Sequence, residues 1–285
     1  MTAMTAPRSI SFLTHGAPEL TADAVRQIVA AASVAGIEVR APAEELRKHG
    51  LEPGTPVVED AGEAPDLSVV LGGDGTILGA LRASAETGAP VFAFNFGAIG
   101  FLSTVDHDQF AEGIERLTSG DYEILRMPAL TIDRGEVRLG VNDVSFHRRA
   151  DGRVAELGYS ITGDRLGEVR CDGLVASTPV GSTGYNLANG GPILAWGVEG
   201  FTVSFIAPHT LTARALVVAP DDTLNVLNLS KREDVDVMVD GLTVGALAPG
   251  EEVEVGFARD RVLLAQRPGE NFYHRFRSKF GRLAS

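Results

Sequence analysis

The sequence predicts two structural classes in one chain, an α/β unit followed by an all-β unit. Three observations predict it. Short apolar runs alternate with amphipathic helical patterns up to about residue 125, period-two alternation takes over beyond that point, and Gly, Asp and Asn turn signals separate the later runs. The expected division is an α/β domain over 1–125 and an all-β domain over 126–269, with a closing helix over 270–285 that joins the first domain.

Taken in order, SISFL (9–13) reads as a strand, and the segment after it places Val25, Ile28, Val29 and Ala32 on one helical face before Gly36. DLSVVL (66–71) is a buried-strand pattern, a helix is expected over about 76–87, and PVFAFN (90–95) is a further strand. Phe110, Ile114 and Leu117 again share a helical face. Strands alternating with helices imply right-handed crossovers and a parallel sheet. After Leu125, ALTIDRGEVRL, AELGYSITG, GEVRCDGLVAST, DDTLNVLNLS, EDVDVMVDG and EEVEVGFARDRVLLA carry β-branched or alternating patterns. Phe272, Phe276 and Phe280 stand at i, i+4 and i+8, the spacing of a final helix with one packing face.

Composition narrows the function classes. In 285 residues, 44% hydrophobic and 22% charged content fits a folded globular chain. A net charge of −13 speaks against a nucleic-acid partner, because phosphate-backbone binding depends on clustered Lys and Arg. No apolar run approaches the roughly 18 residues that span a membrane, and the N-terminal residues lack a signal-peptide pattern, so a cytoplasmic protein with no membrane partner is expected. The single cysteine, Cys171, permits no internal disulfide. His209 stands alone, no His/Cys/Asp cluster has metal-ligand spacing, and no structural metal is expected.

The chemistry concentrates in LGGDGTILGALRA (71–83). A Walker A loop needs a lysine that is absent here, and a dinucleotide fingerprint needs a third glycine where Leu78 stands. What remains is a strand, then Gly72, Gly73, Asp74, Gly75 and Thr76, then a helix. Such a turn offers main-chain N–H groups and a helix N-terminus to phosphates. Asp74 is the unusual member, since a carboxylate repels phosphate. Three roles fit it: a base for an attacking hydroxyl, a contact to Mg²⁺, or a helix N-cap.

GGDGT resembles the signature of a superfamily containing NAD kinases, diacylglycerol and sphingosine kinases and 6-phosphofructokinases. Four further stretches, in order and spacing, are similar to the NAD kinase family: NFGAIGFLSTVD (95–106), VNDVSFHR (141–148), CDGLVASTPVGSTGYNLANGGPIL (171–194) and APHTLTARALVV (207–218). The resemblance implies a bacterial-type ATP- or polyphosphate-dependent NAD kinase. In that reading Asp74 is the catalytic base, while Gly72, Gly73, Gly75, Thr76 and Asn95 bind the phosphate donor. Asp74 and Gly75 also meet NAD, and Mg²⁺ or another divalent metal is the cofactor, with Asp74 a possible ligand.

The residues support that reading independently. Asn142 and Asp143 supply an amide and a carboxylate suited to vicinal ribose hydroxyls, although the same pair also makes Asx turns. In the loop Thr183, Gly184, Tyr185, Asn186, Leu187 and Ala188, together with Ser182, hydroxyls and main chain can read a base edge while Tyr185 offers a stacking face. Arg153, Arg170 and Asp172 fall at offsets where the family contacts the dinucleotide, in part across a subunit interface, so a homodimer or homotetramer is implied. Two departures stand out: Gly184 replaces the usual alanine, and Leu242 follows Asp240-Gly241 where the family often has glutamine. The implied reaction moves a phosphoryl group from ATP or polyphosphate to the 2′-hydroxyl of the adenosine ribose of NAD. The alternatives are a lipid kinase, which would need a membrane-facing surface, and a non-catalytic NAD sensor.

Overall fold

A computed structural model describes residues 5–51, 56–97, 100–149 and 152–281. The chain divides into two compact units, Met1–Arg126 with Val262–Ser285, and Met127–Arg261.

The first unit is α/β. Its elements are β1 (Ser9–Thr14), α1 (Ala22–Val34), β2 (Glu38–Ala41), α2 (Ala43–His49), β3 (Val57–Glu59), β4 (Leu67–Gly72), α3 (Asp74–Thr87), β5 (Val91–Asn95), β6 (Val105–Asp106) and α4 (Phe110–Ser119). The strands lie in the order β3-β2-β1-β4-β5, all parallel, with β6 beside the end of β5. β5 is buried along its whole length and β4 nearly so, which is why both read as continuous apolar runs. α1 buries Ala24 together with the four residues its periodicity nominates, Val25, Ile28, Val29 and Ala32. Phe12, Phe92 and Phe94 belong to this core, with Phe92 edge-on to Tyr122.

The second unit is all-β, and its strands are β7 (Glu123–Asp133), which enters from the first unit, β8 (Val137–Gly140), β9 (Asp143–Arg148), β10 (Ala155–Ile161), β11 (Asp164–Cys171), β12 (Gly173–Ser177), β13 (Phe201–Ile206), β14 (Leu216–Val218), β15 (Leu224–Asn228), β16 (Val235–Val239), β17 (Leu242–Leu247) and β18 (Glu252–Gln266). One turn of helix, α5 (Tyr185–Ala188), lies between β12 and β13. β14-β13-β12-β9-β16-β17 form one antiparallel sheet. β11-β10-β15-β18 form a second antiparallel layer, with β7 beside β18. Their apolar faces meet in a single buried cluster holding Val144, Phe146, Leu174 and Val237 from the first layer and Leu157, Val226 and Val255 from the second.

Alternation along β9 gives the first layer a polar reverse face. Val144 and Phe146 enter the core, while Asp143, Ser145 and His147 point the other way. Ser145, Ser177, Thr202 and Ser204 on this reverse face are also buried, because the segment after β12 folds over them. The reverse face is therefore a second interior, built from hydroxyls, carboxylate and imidazole.

Near its end β18 leaves the second unit. Leu264 pairs parallel with Val91 of β5, and the Thr104 hydroxyl donates to the Ala265 carbonyl (2.7 Å) while accepting from the Ala93 N–H (2.9 Å). α6 (Phe272–Phe280) follows, and the Phe101 ring sits near both Phe272 and Phe280. The last expected helical residues, 282–285, lie outside the described residues.

Thr104 is almost fully buried, so Thr104→Val removes one donor and one acceptor without a large change in shape and strands the Ala93 N–H and the Ala265 carbonyl. Leaving such groups unsatisfied costs roughly 1–3 kcal/mol each. A loss of unfolding free energy of that order is expected, read as a lower urea midpoint with an unchanged m-value.

Candidate active site

In the first unit β4 runs straight into the glycine turn, and Asp74 is the first residue of α3. Gly73 occupies the N-cap position with no side-chain cap, so Asp74 does not serve as the N-cap. Its carboxylate turns instead to the segment after β5. The Phe101 N–H donates to both Oδ1 and Oδ2 (3.1 Å each), and the Leu102 N–H donates to Oδ1 (3.2 Å). That use of one oxygen twice and the other once leaves acceptor capacity on Oδ2. Burial raises the Asp74 pKa, and the two amides and the positive charges of Lys279 and Arg275 oppose it without cancelling it.

Glycine is required here by contact. A Cβ on Gly97 would stand 2.9 Å from the Cα of Gly73, and one on Gly72 would meet the Thr76 hydroxyl at 2.6 Å. Gly75 differs: a Cβ there would meet nothing within 4 Å, and its side of the turn is open. Asn95 is buried, with its amide nitrogen donating to Asp106 (3.1 Å) and its oxygen accepting from the Gly97 N–H (2.9 Å). Burial works to raise the Asp106 pKa, but Asn95 and Lys279 outweigh it and hold the carboxyl below its usual range.

In the second unit Asn142 and Asp143 form the turn into β9. Three consecutive N–H groups, of Val141, Asn142 and Asp143, donate to the Asp240 carboxylate at 3.0, 2.7 and 3.1 Å. The Asp240 N–H returns a bond to the Asp143 carbonyl at 2.9 Å. Asp240 adopts φ +49° at the β16–β17 hairpin, a conformation that Asp tolerates better than most residues. Sequence reading noted Asp240-Gly241 only as the place where Leu242, which is 56% exposed, departs from the family. The function of Asp240 has no local signal, because its partners lie a hundred residues away.

Asp143 is 8% exposed, and burial first, then the charge of Asp240, push its carboxyl up to about 7. The neighbouring glycine loop is laced to this turn. The Thr178 N–H and the Ser177 hydroxyl both donate to the Asn142 carbonyl, and a Cβ on Gly181 would lie 2.1 Å from that same oxygen. Only glycine lets the two main chains approach so closely.

The loop residues then divide. Ser182 is fully buried, donates to the Pro179 carbonyl and accepts from the Leu194 N–H, so its hydroxyl braces the loop and is not available to read a base. Asn186 is also fully buried: its amide donates to the Ser182 and Pro192 carbonyls and accepts from Thr202, so it too holds the loop from inside. Thr183 donates to the Val180 carbonyl and is partly exposed, as is Leu187. Gly184, Tyr185 and Ala188 are exposed. The Tyr185 ring stacks on His147, with centroids 5.7 Å apart and planes at 6°. Burial, followed by the charges of Asp143 and Asp172, raises the Tyr185 pKa. Burial lowers the pKa of His147 against the pull of Asp236.

Arg153 and Arg170 are both exposed and line one recess of about 530 Å³ with Lys231, Arg232, Glu156 and Glu233. Arg170 pairs with Glu156 at 3.2 Å. Asp172 is held elsewhere, by the Arg148 guanidinium at 2.6 Å. His147 and Arg148 are site neighbours that sequence reading quoted in a motif without assigning a role. Their signal is β9 alternation, which puts His147 on the same face as Asp143. Among the described residues no group of three or more His, Cys, Asp or Glu is arranged to hold a metal.

Comparison with known proteins supplies the class. The ATP-NAD kinase N-terminal domain matches residues 12–122, and the ATP-NAD kinase C-terminal domain matches residues 141–266. The NAD kinase of Geobacter sulfurreducens is 35% identical over 78% of this chain and 81% of its own length. That of Rhodopirellula baltica is 34% identical over 76% of this chain and 71% of its own. Two solved structures share the fold. Yeast NADH kinase complexed with NADH has a TM-score of 0.86 at 22% identity, covering 99% of this chain and 89% of that one. An NAD kinase from Archaeoglobus fulgidus in complex with ATP has a TM-score of 0.72 at 24% identity, covering 97% and 98%. Fold and sequence thus define a kinase, with an N-terminal α/β unit and a C-terminal antiparallel β unit. The chain belongs to the ATP-NAD kinase family, and its function is that of an NAD kinase.

Asp240 contributes negative charge to the raised pKa of Asp143, so removing it should lower that pKa. Asp240→Asn is expected to move the Asp143 carboxyl titration, followed by ¹³C NMR, from about 7 toward the ordinary carboxylate range. An unmoved midpoint would contradict the coupling. The sign for stability is also fixed. With its folded pKa above the unfolded one, Asp143 favours the fold most below about 4, and that contribution is lost as pH rises through about 7.

Proposed function

We propose that this chain transfers the terminal phosphoryl group of ATP, or of inorganic polyphosphate, to the 2′-hydroxyl of the adenosine ribose of NAD, giving NADP. The observation that carries the detailed reading is the Asp74 carboxylate, held by two main-chain amides, raised in pKa by burial, and retaining acceptor capacity on Oδ2. A fixed carboxylate of that kind takes the proton of the attacking hydroxyl as the O–P bond forms. Gly72, Gly73, Gly75 and Thr76 present the turn and first helical N–H groups to the donor phosphates, with the open side at Gly75 as the approach. Asn95 holds the Gly97 main chain against that turn.

Mg²⁺ suits this donor set, since it usually binds through one or two carboxylates plus substrate phosphates, and Asp74 is the carboxylate available to it. When bound, the ion neutralises charge on the transferring phosphates.

NAD is held by the second unit's residues. Asp143, with Asn142, grips the ribose hydroxyls, and Tyr185, backed by His147, offers a flat face to a ring. Asn186 and Ser182 keep the Thr183–Ala188 loop in shape so that its main chain and Thr183 can make contacts. Arg153 and Arg170 screen the pyrophosphate from the recess they line, and Asp172 pairs with Arg148. The reading includes a homodimer or homotetramer, in which some of the contacts of Arg153, Arg170 and Asp172 cross a subunit interface, and a cytoplasmic location with no nucleic-acid or membrane partner. No helix among the described residues is long and apolar enough to cross a membrane.

Positioning and charge stabilisation carry most of the rate in phosphoryl transfer, and a general base adds typically about 10²–10⁴-fold. Asp74→Asn is therefore expected to keep NAD binding by calorimetry and to lose turnover by about that factor. Turnover is measured with NAD, Mg²⁺ and either donor, and NADP is read by an NADP-specific dehydrogenase. Wild-type turnover in the variant would refute the base. NAD binding without NADP formation by the unaltered chain would refute the reaction.

A further inference from the structure

We infer that Arg275, on α6, is a positioning residue for Asp74: its guanidinium holds the carbonyl side of residues 101–103 so that the amide side faces the Asp74 carboxylate. This rests on the reading of Asp74 as the base.

The geometry is a peptide segment gripped from two directions. From one direction, the Phe101 and Leu102 N–H groups donate to Asp74. From the other, Arg275 Nη1 donates to the Phe101 carbonyl (3.2 Å) and to the Ser103 carbonyl. Arg275 is only 6% exposed, and its buried guanidinium holds these two carbonyls through Nη1. Its five N–H groups form a rigid fork, so the carbonyls it holds are fixed in direction as well as distance.

The same helix grips the same segment twice more. Phe272 and Phe280, one turn before Arg275 and the residue after Lys279, stand 6.1 and 5.9 Å from the Phe101 ring. Lys279, one turn after Arg275, pairs with Asp106 at 3.1 Å, and Asp106 takes the amide of Asn95. α6 itself starts at a defined point, because Asn271 accepts from the His274 N–H. Arg275, Phe272, Phe280 and Lys279 share one helical face, and that face is directed at the segment that holds the base. None of these residues has an assigned part in the reaction as described above.

The alternative is a helix that only adds stability. The two differ in what they do to Asp74. The charges facing Arg275 are Glu270, Arg267, Asp106 and Asp74, and those facing Asp74 are Lys279 and Arg275. Removing Arg275 therefore releases the Phe101 and Ser103 carbonyls and loosens the amides that aim the Asp74 carboxylate.

The test compares Arg275→Lys and Arg275→Met with wild type, each as the full chain, with rates expressed per folded molecule from the thermal unfolding amplitude. Arg275→Lys, which keeps the buried charge and loses the fork, is expected to lower kcat about tenfold with the KM for NAD unchanged. Arg275→Met is expected to lower kcat about 100-fold, again with the KM for NAD unchanged. Wild-type kcat per folded molecule in Arg275→Lys overturns the inference, and so does a loss in either variant that lies in the KM for NAD and not in kcat. If the methionine variant does not fold, the lysine variant decides. Asp74→Asn, run alongside, separates the two claims. Turnover in Asp74→Asn sinks the base itself, whereas an inactive Asp74→Asn with an unaffected Arg275→Lys sinks only the positioning role.

Discussion

A carboxylate that accepts hydrogen bonds from consecutive main-chain amides is the constraint on which the rest of this molecule's chemistry depends. It occurs twice. In the α/β unit the Phe101 and Leu102 amides fix Asp74, and in the β unit three amides in a row surround Asp240. Each arrangement answers a conflict between charge and burial. A carboxylate near phosphate needs a reason to stay put, and directed N–H donors provide it without adding a competing side chain. The outcome differs because the carboxylate is the proposed base in one case and the scaffold in the other. Asp240 is engaged by three amides of the turn, and the neighbouring carboxyl at that turn is Asp143.

The second consequence is a sheet with two interiors. β9 carries Val144 and Phe146 into an ordinary hydrophobic core, and Asp143, Ser145 and His147 into a polar one. The hydroxyls there are bonded in different ways: Thr202 donates to Asn186 of the covering loop, Ser177 to the Asn142 carbonyl, and Ser182, within the loop, is held by Pro179 and Leu194. The same bonds that make the polar layer affordable hold the loop open at Tyr185. Stability and site geometry are thus one set of interactions in this unit.

The change from α/β to all-β is legible in the sequence because the two periodicities differ, 3.6 against 2. The glycine turn is legible from its failed spacings, and Asn142 with Asp143 from residue chemistry. What is not legible is which polar side chains face outward. Ser182 and Asn186 sit in a run of small and polar residues that reads as a binding loop, yet both are completely buried and act as internal braces. Asp240 is hidden for another reason, since its residue type fits an ordinary hairpin and its partners are distant. Arg275 is hidden by the apolar periodicity around it: Phe272, Phe276 and Phe280 announce a packing face and give no hint that a buried cation lies within it.

The distance along the chain between Asp240 and the amides it holds has a kinetic meaning. Val141 and Asp240 are 99 positions apart, so their contact closes a long loop and carries the entropy of doing so. Contacts of that separation form after local hairpins and slow the step in which they appear. The turn that presents Asp143 can reach its working shape only when the β16–β17 hairpin has formed and docked on β9. During synthesis, β9 and the glycine loop emerge long before Asp240 does. Competence to hold the dinucleotide is therefore among the last properties this unit acquires as it folds, and a nascent chain that already contains most of the site's residues does not yet contain the site.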